Sequence, residues 1–367
     1  MLKESVVTLD PLTERIAKNY DYSFDGRSSF KCIPKPKTPQ SYNIGVIHGP
    51  SGSGKTTLLK EYGDIQTYMW AEDMSVVSHF QEVDGVNRLM ACGLNSVPTW
   101  CKPYHVLSNG EKFRADLARG LENRAIFDEY TSVVNRTVAM SASIALAKYV
   151  RANNLKITIA TCHDDVLEWL KPDWSFDTKD NSLVIGRCLY REPIRLDIVE
   201  GDTSYWPIFK NHHYLTGKIQ KGAKVYLCYM GKELIAMSAS IYLPGKIPLY
   251  WPDEKASGVL RGKWREHRLV VLPDYQGLGI GVRMSDCVGQ LFLGRGLRYF
   301  SKTAHPRMGE YRQKSGKWRA TSTNLADRSK ATGPKSKLWK HFRLDTKRIC
   351  YSHEYLGSGI MAKENNE

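Results

Sequence analysis

The chain has 367 residues, 42% of them hydrophobic, with a mean hydropathy of −0.42 and a net charge of +15. That length holds about two domains of ordinary core size, and no run approaches the ~18 apolar residues of a membrane-spanning helix. The opening MLKESVVTLD has no apolar leader core, and the eight cysteines are scattered without a CxxC pair, so the composition argues for reduced thiols and a cytoplasmic protein. The charge is lopsided. Residues 1–190 carry 22 basic and 22 acidic side chains, residues 191–367 carry 31 and 16, and residues 301–350 alone carry 14 and 3. A basic half of that kind points to a polyanionic partner, nucleic acid above all.

Residues 1–41 are polar and broken by prolines, which predicts an edge strand or two; Tyr20, Tyr22 and Phe24 are candidates to stack on a nucleobase or to pack in a core. A buried strand follows at Ile44–Ile47 and runs into Gly49-Pro50-Ser51-Gly52-Ser53-Gly54-Lys55-Thr56, which fits the eight-residue phosphate loop at every fixed position. Its glycines let successive N–H groups converge on phosphate oxygens, and a helix opening near Thr56 and Thr57 adds its positive end. Lys55 would reach the terminal phosphates and the Thr56 hydroxyl would hold Mg²⁺. Asp64–Met69 reads as a second strand and residues 75–96 as mainly helical. Val106–Arg114, VLSNGEKFR, opens a helix over Glu111–Leu121 with Ser108, Asn109 and Gly110 at its start. Arg124–Glu129 is a short strand ending in Asp128, a magnesium ligand, and Glu129, which would orient an attacking water. Lys156–Thr161 is a further strand, leading to His163.

In this order the motifs over residues 40–190 resemble ABC-type ATPases. LSNGE is similar to their LSGGE signature, with Asn109 for the first glycine. The resemblance implies that Ser108, Asn109 and Gly110 face ATP held by a partner's phosphate loop, so that two chains form a homodimeric ATP sandwich. It also implies that His163 contacts the γ-phosphate. Asn135 stands where the family carries an aspartate, and no Q-loop glutamine is assigned in the 51 residues between Lys55 and Leu107. Without membrane segments, the resemblance is to a soluble member rather than a transporter.

Beyond a boundary near 186–192 the pattern changes to short strands: Lys224–Tyr229, Glu233–Tyr242 around the turn Met230-Gly231-Lys232, and Arg265–Leu272. The last leads through Val271 into Gln276-Gly277-Leu278-Gly279-Ile280-Gly281-Val282 and a helix to about Phe292, followed by a strand over Arg298–Thr303. Backbone N–H groups from Leu278 to Val282 would cradle a pyrophosphate at that helix start. The stretch resembles motif A of GNAT-fold N-acetyltransferases and implies acetyl-CoA as cofactor. Acyl transfer needs a base and an acid. Glu266 and His267 precede the loop and, by strand alternation, face opposite ways unless a bulge intervenes; Tyr311 is the candidate acid. The adjacent His212 and His213 have no chelate spacing. Residues 305–343 interleave bases with Tyr311, Trp318, Trp339 and Phe342, so that Arg312, Lys314, Lys317 and Arg319 are candidate nucleic-acid contacts.

The expected fold class is therefore α/β: a P-loop ABC-type ATPase domain over 1–190, then a GNAT-fold α+β acyltransferase domain with a basic C-terminal region over 191–350, and a tail over 351–367. The order resembles a family of bacterial, archaeal and phage proteins that fuse the two, and the second half is similar in general layout to Mom-type phage acyltransferases, which modify adenine in DNA. The expected activity is ATP-dependent N-acylation of DNA or RNA. The alternatives are an ATP-gated acetyltransferase of a protein or small amine, and a nucleic-acid-binding ATPase of repair or defence whose second half only binds.

Overall fold

The computed structural model describes residues 2–81, 84–186, 193–213, 217–243, 263–326 and 349–357. The chain divides into two units, one of Met1–Leu94 with Lys102–Glu192, the other of Asn95–Cys101 with Pro193–Glu367. Its elements mix α with parallel and antiparallel β structure. Among the described residues no helix is long and apolar enough to cross a membrane.

The first unit begins with an antiparallel pair, β1 (Leu2–Val6) and β2 (Arg27–Lys31), joined through α1 (Pro11–Asn19). Helix α1 stands where only an edge strand or two was expected. Asp10 caps it by accepting from Thr13 N at 2.7 Å, but none of its side chains is buried. Next come β3 (Ile44–His48), α2 (Lys55–Leu59), α3 (Asp84–Ala91), α5 (Asn109–Arg119), β4 (Ala125–Phe127), α6 (Arg136–Ala152), β5 (Ile157–Thr161), α7 (Asp165–Leu170), β6 (Trp174–Asp177) and β7 (Ser182–Ile185); α4 (Val97–Trp100), between α3 and α5 in the chain, belongs to the second unit. The sheet order is β4-β5-β3-β6-β7, parallel except for β7 at the edge. Such a sheet is covered on both faces, so β3 and β5 are continuous apolar runs. Ile47, Leu58, Leu59, Ile126, Ala160, Trp174 and Phe176 form a core. A Cβ on Gly45 would lie 2.1 Å from the Trp174 ring, which is why glycine stands in mid-strand. Asp64–Met69, expected as a strand, joins no sheet; its Ile65 and Met69 are both exposed, so no apolar face holds it against one.

The second unit is built on β8 (Asp197–Gly201), α8 (Trp206–Lys210), β9 (Lys224–Met230), β10 (Glu233–Leu243), β11 (Lys263–Val271), α9 (Ile280–Gly294), β12 (Arg298–Thr303), α10 (Pro306–Lys314), β13 (Trp318–Ala320) and β14 (Tyr351–Tyr355). The sheet runs β13-β14-β12-β11-β10-β9-β8, antiparallel except for the pair β11–β12. Met230 pairs with Glu233 around Gly231, whose φ of 62° suits the tight hairpin. One core lies under α9, built on Tyr226, Met284, Val288, Phe292, Tyr299, Trp318 and Tyr355. Another joins Trp206 and Phe209 of α8 to Val225, Leu227, Met237, Ala239 and Val270. The expected tail from residue 351 needs correction: Tyr351–Tyr355 is an interior strand between β12 and β13. Residues 358–367 lie outside the described residues, as do Trp339 and Phe342.

Candidate functional sites

The phosphate loop leaves the carboxyl end of β3. Gly49, Gly52 and Gly54 have φ of 134°, 75° and 92°, the left-handed region that side chains resist, and Gly54 is the N-cap of α2. A Cβ on Gly49 would fall 2.2 Å from Thr178 Oγ1, whereas the space beside Gly52 is open to 4 Å. Ser53 Oγ meets Thr178 Oγ1 at 2.6 Å, and that hydroxyl donates to His48 O at 3.0 Å, so Thr178 pins the loop to β3. Sequence reading missed Thr178; its one signal is its place directly after β6. Lys55 Nζ turns back to donate to Gly49 O at 2.9 Å and Pro50 O at 2.6 Å, caging the loop. Pro50, Ser51 and Thr56 are exposed. The aromatic ring against the loop is Phe30 of β2, 2.6 Å from where a Gly54 Cβ would stand. Tyr22 stacks on Phe24 at 6.0 Å instead.

Two neighbouring strands end beside it. Ile47 registers with Ala160 on β5, and Phe127 of β4 with Ile159, so Gly49, Asp128 and His163 all emerge from the carboxyl edge of adjacent parallel strands. The turn after β4 is strained. Glu129 has φ of 47° and Thr131, a β-branched residue, φ of 67°. Neighbours hold it there: Asp128 Oδ1 accepts from Glu129 N at 2.9 Å, Tyr130 N donates to Ala160 O at 2.9 Å, and Thr131 Oγ1 meets His163 Nδ1 at 3.2 Å. The turn that carries the two carboxylates is thus tied by hydrogen bonds to β5 and to the histidine, with Glu129 exposed. Thr56 and Asp128 offer the oxygen donors that Mg²⁺ takes, and a magnesium site needs few protein ligands beside phosphate and water.

At the signature, Ser108 is the N-cap of α5. It accepts from Glu111 N at 3.3 Å, and Glu111 Oε2 accepts from Ser108 N at 2.9 Å, a reciprocal capping box. Ser108 and Asn109 are exposed and Gly110 half-buried, so the N-terminal N–H groups of α5 present themselves to the outside. Asn135 accepts from Val138 N at 2.8 Å as the N-cap of α6, a duty asparagine and aspartate share.

In the second unit Gly277 and Gly279 have φ of 92° and 81°, and Gly279 is the N-cap of α9 with no side-chain cap. Nothing comes nearer than Val282 Cγ2 at 4.0 Å to a Cβ on Gly279, so the amides behind it are not blocked by their own chain. Gln276 Nε2 donates to Val271 O at 2.8 Å, while its buried Oε1 has no partner. Val271, Leu278 and Ile280 turn into the core, leaving their backbone to the turn. A Cβ on Gly281 would make ordinary contact with Val271 at 3.5 Å and Met308 at 3.9 Å, so α9 lies against β11 here with room for a small side chain. Beside the turn the sheet opens. β11 and β12 pair only through Lys263–Arg298, Trp264–Tyr299 and Arg265–Phe300, although β11 continues to Val271 and β12 to Thr303. The gap leaves β11 backbone groups facing β12 without ladder partners, a slot for an extended amide-bearing ligand. Glycine cradle, orphan Gln276 oxygen and slot together fit the pantetheine and pyrophosphate of acetyl-CoA.

No protein-family model matches the chain, and no curated protein sequence does. Solved structures are similar to parts of it. The dimeric ATP-binding cassette MJ0796 bound to ADP and Pi is 16% identical, over 40% of this chain and 86% of its own, with a TM-score of 0.33. The IAA acetyltransferase from Bacillus cereus is 12% identical, over 44% and 99%, with a TM-score of 0.28. The Bacillus subtilis acetyltransferase in complex with CoA is 11% identical, over 44% and 98%, with a TM-score of 0.30. Both parts of the two-part resemblance are represented among the similar structures.

The structure redistributes the residues expected to do acyl-transfer chemistry. Ser240 registers with Glu266 and Ala239 with Arg268, so His267 is the extra residue of a β-bulge. The bulge re-aims the strand. Glu266 turns toward α9, where it accepts from Ser285 Oγ at 2.7 Å, Ser301 Oγ at 3.0 Å and Arg312 at 2.9 and 3.1 Å; its side chain is 8% exposed. Those bonds occupy its acceptor sites, so Glu266 is a buried structural anchor, not a base. Tyr311 donates to Asp286 at 2.5 Å, and burial followed by that carboxylate pushes its proton affinity up. It belongs to a second anchor, since Trp318 Nε1 and Lys317 Nζ also donate to Asp286, at 2.7 and 3.2 Å.

His267 lies on the other face, with a buried Nε2 that has no partner, and burial with the charges of Arg268 and Arg265 lowers its pKa to about 4. It is neutral at pH 7 and keeps a nitrogen available. His305, which the sequence reading passed over, follows β12 across the gap; its Nδ1 is buried without a partner and burial lowers its pKa to about 4. Among the proposed nucleic-acid contacts, Arg312 is corrected: it is 1% exposed and spent on Glu266. Lys317 is tied to Asp286 and Arg319 to Glu354, and Lys314 is exposed. His213 is buried against Trp206 at 6.0 Å.

Proposed function

We propose that the chain is an ATP-hydrolysing cassette joined to an acetyl-CoA-dependent N-acyltransferase, acting in the cytoplasm as a homodimer on nucleic acid. The observation that carries the reading is the pair of backbone anion cradles, each a strand running into a left-handed glycine that caps a helix, at Gly54 and at Gly279. At the first, the loop amides from Gly49 to Thr57 bind phosphates once Lys55 swings from its cage onto them. Thr56 and Asp128 hold Mg²⁺, which neutralises phosphate charge as the bond breaks. Glu129 orients water and His163, steadied by Thr131, senses the γ-phosphate. Ser108, Asn109 and Gly110 close the same site in a second copy.

At the second cradle, amides from Gly277 to Val282 with the Gln276 Oε1 would hold the diphosphate and pantetheine arm of acetyl-CoA, and the gap between β11 and β12 would admit the extended arm. When bound, acetyl-CoA would supply the acyl group to the acceptor amine, the C–S bond breaking and the released thiolate taking up a proton. His267, neutral and on the acceptor side, removes the amine proton; a positioned base of this kind contributes about 10²–10⁴-fold. A nucleic-acid acceptor is supported by the basic excess of residues 191–367. The test is incubation of the full chain with ATP, Mg²⁺, labelled acetyl-CoA and DNA or RNA, followed by mass spectrometry of the nucleosides. An acylated nucleoside is expected, and His267→Gln should reduce it at least 100-fold with acetyl-CoA binding retained. CoA release without a new nucleoside from either polymer moves the acceptor to a protein or small amine; no CoA release with any amine overturns the acyltransferase.

A further inference from the structure

The sheet of the second unit carries a rank of cations of which the expected nucleic-acid residues included only Arg319. On β11, Trp264 packs on Phe292 of α9 at 5.1 Å, so its neighbours Lys263 and Arg265 project from the opposite face. On β12, Tyr299 stacks on Phe292, so Arg298 and Phe300 share that opposite face. β14 adds Glu354 and β13 adds Arg319. Helices α9 and α10 pack on the far side, and the α8 cluster occupies the end of this face made by β9, β10 and the last part of β11.

Here Lys263, Arg265, Arg298 and Arg319 meet one described carboxylate. Arg298 Nε and Arg319 share Glu354, at 2.6 and 3.1 Å. Lys263 Nζ and the Arg298 guanidinium flank the Phe300 ring at 4.2 and 4.9 Å from its centre. Arg265 is half-buried and has no hydrogen-bond or ion-pair partner among the described residues. Burial lowers the proton affinity of both Lys263 and Arg265, and Arg298 lowers that of Lys263 further. Holding like charges together and partly dry costs stability, so the arrangement asks for an anion.

The layout says which kind. Lys263 and Arg265 stand about 6.6 Å apart along β11. Arg298 registers with Lys263, and Arg319 registers with Glu354, itself opposite Phe300. The cations therefore spread over β11, β12, β14 and β13, three strand spacings or about 14 Å, which suits successive phosphates rather than one small anion. The rank also reaches Arg265 and Phe300, the last ladder pair before the gap. We infer that this face is a backbone track for a single strand of nucleic acid, which crosses β11, β12 and β13 and presents a base at the gap. Only the delivery of the base rests on the acyltransferase reading; the track itself is a binding site.

Binding is measured on the full chain by fluorescence anisotropy with a labelled single strand of about 20 nucleotides, DNA and RNA in turn, across a salt series. Each phosphate contact on a single strand contributes about 0.7 to the slope of log affinity against log salt. Lys263→Gln, Arg265→Gln and Arg298→Gln combined should weaken binding at least tenfold and flatten the slope by about 2. Lys221→Gln with Lys232→Gln, exposed lysines elsewhere in the unit, should leave both as in the parent. Arg265→Gln alone should weaken binding yet raise the melting temperature, because it removes an unpartnered, partly desolvated charge; Arg265→Lys should restore binding. That single pair decides the matter if the triple variant fails to fold. Parental affinity and slope in the triple variant, or a lower melting temperature in Arg265→Gln, overturns the track. Equal displacement of the strand by polyglutamate at matched charge makes the face a site for acidic protein and overturns it as well. Binding that behaves as expected with no acylated nucleoside would leave the track standing and remove the acceptor assignment.

Discussion

Glu266 and Arg312 show how a residue type can be legible in sequence while its job is not. A carboxylate just before a glycine turn is where a base would be sought, and an arginine in a basic stretch is where phosphate would be sought. The bulge at His267 turns Glu266 under α9, and there the two find each other, 8% and 1% exposed. Strand alternation alone has no way to register one inserted residue. Replacing Glu266 with Gln leaves Arg312 buried without its counter-charge, which costs about 3–5 kcal/mol and lowers the melting temperature of this unit by roughly 6–20 °C. Acyl transfer per folded molecule should stay near parental, and a Glu266→Met, Arg312→Met double variant should recover most of the lost stability. Loss of transfer at an unchanged melting temperature would return Glu266 to the role of base. His353, buried on β14 with an orphan Nδ1 and a pKa lowered by burial to about 4, is a further residue of this kind.

At the level of elements, hydrophobic runs and glycine turns located β3, β5, β9, β10, β11, α9 and β12 to within a residue or two, because each is a buried run bounded by a turn. Two other segments failed in opposite ways. Asp64–Met69 has strand-like residues but no neighbouring strand to pair with, and it stays out of the sheet. β14, YSHEY, reads as polar, yet Ser352, His353 and Glu354 are all buried because Thr321, Gln313 and Arg298 satisfy them. Its tyrosines explain how it docks. A Cβ on Gly309 of α10 would lie 2.1 Å from the Tyr351 ring, and one on Gly289 of α9 would lie 2.7 Å from Tyr355. Each helix glycine is the seat of a β14 tyrosine. By helix propensity Gly309→Ala should stabilise α10 by up to about 1 kcal/mol. Overpacking against Tyr351 should outweigh that, giving a net loss of about 1–2 kcal/mol, seen as a lower denaturant midpoint at unchanged m-value. A raised midpoint would show that Tyr351 does not occupy the seat.

For the whole molecule, charge and motif order pointed to two glycine turns suited to anions on one chain, but not to which cations face outward, since ion pairing is decided by the sheet register that brings distant residues together. The nucleotide site poses the same question across chains. Its phosphate loop, Glu129 and His163 stand together on adjacent strands. The helix start at Ser108 belongs to the same unit but points its exposed amides outward, with the Ser108 hydroxyl and Glu111 already engaged in capping. If the γ-phosphate of one copy is to be closed in by Ser108, Asn109 and Gly110 of another, ATP must hold the copies together and hydrolysis must release them. Glu129→Gln keeps Asp128, the proposed magnesium ligand, and removes the carboxylate proposed to orient water, so it should slow ATP hydrolysis by at least 100-fold. In saturating ATP and Mg²⁺ it should elute as a dimer by light scattering and in ADP as a monomer. Adding Ser108→Arg, which places a bulky cation at the α5 start, should abolish the ATP-dependent dimer while the chain still binds ATP. A Glu129→Gln variant that hydrolyses nothing and stays monomeric with ATP bound would mean that one copy of this site is complete.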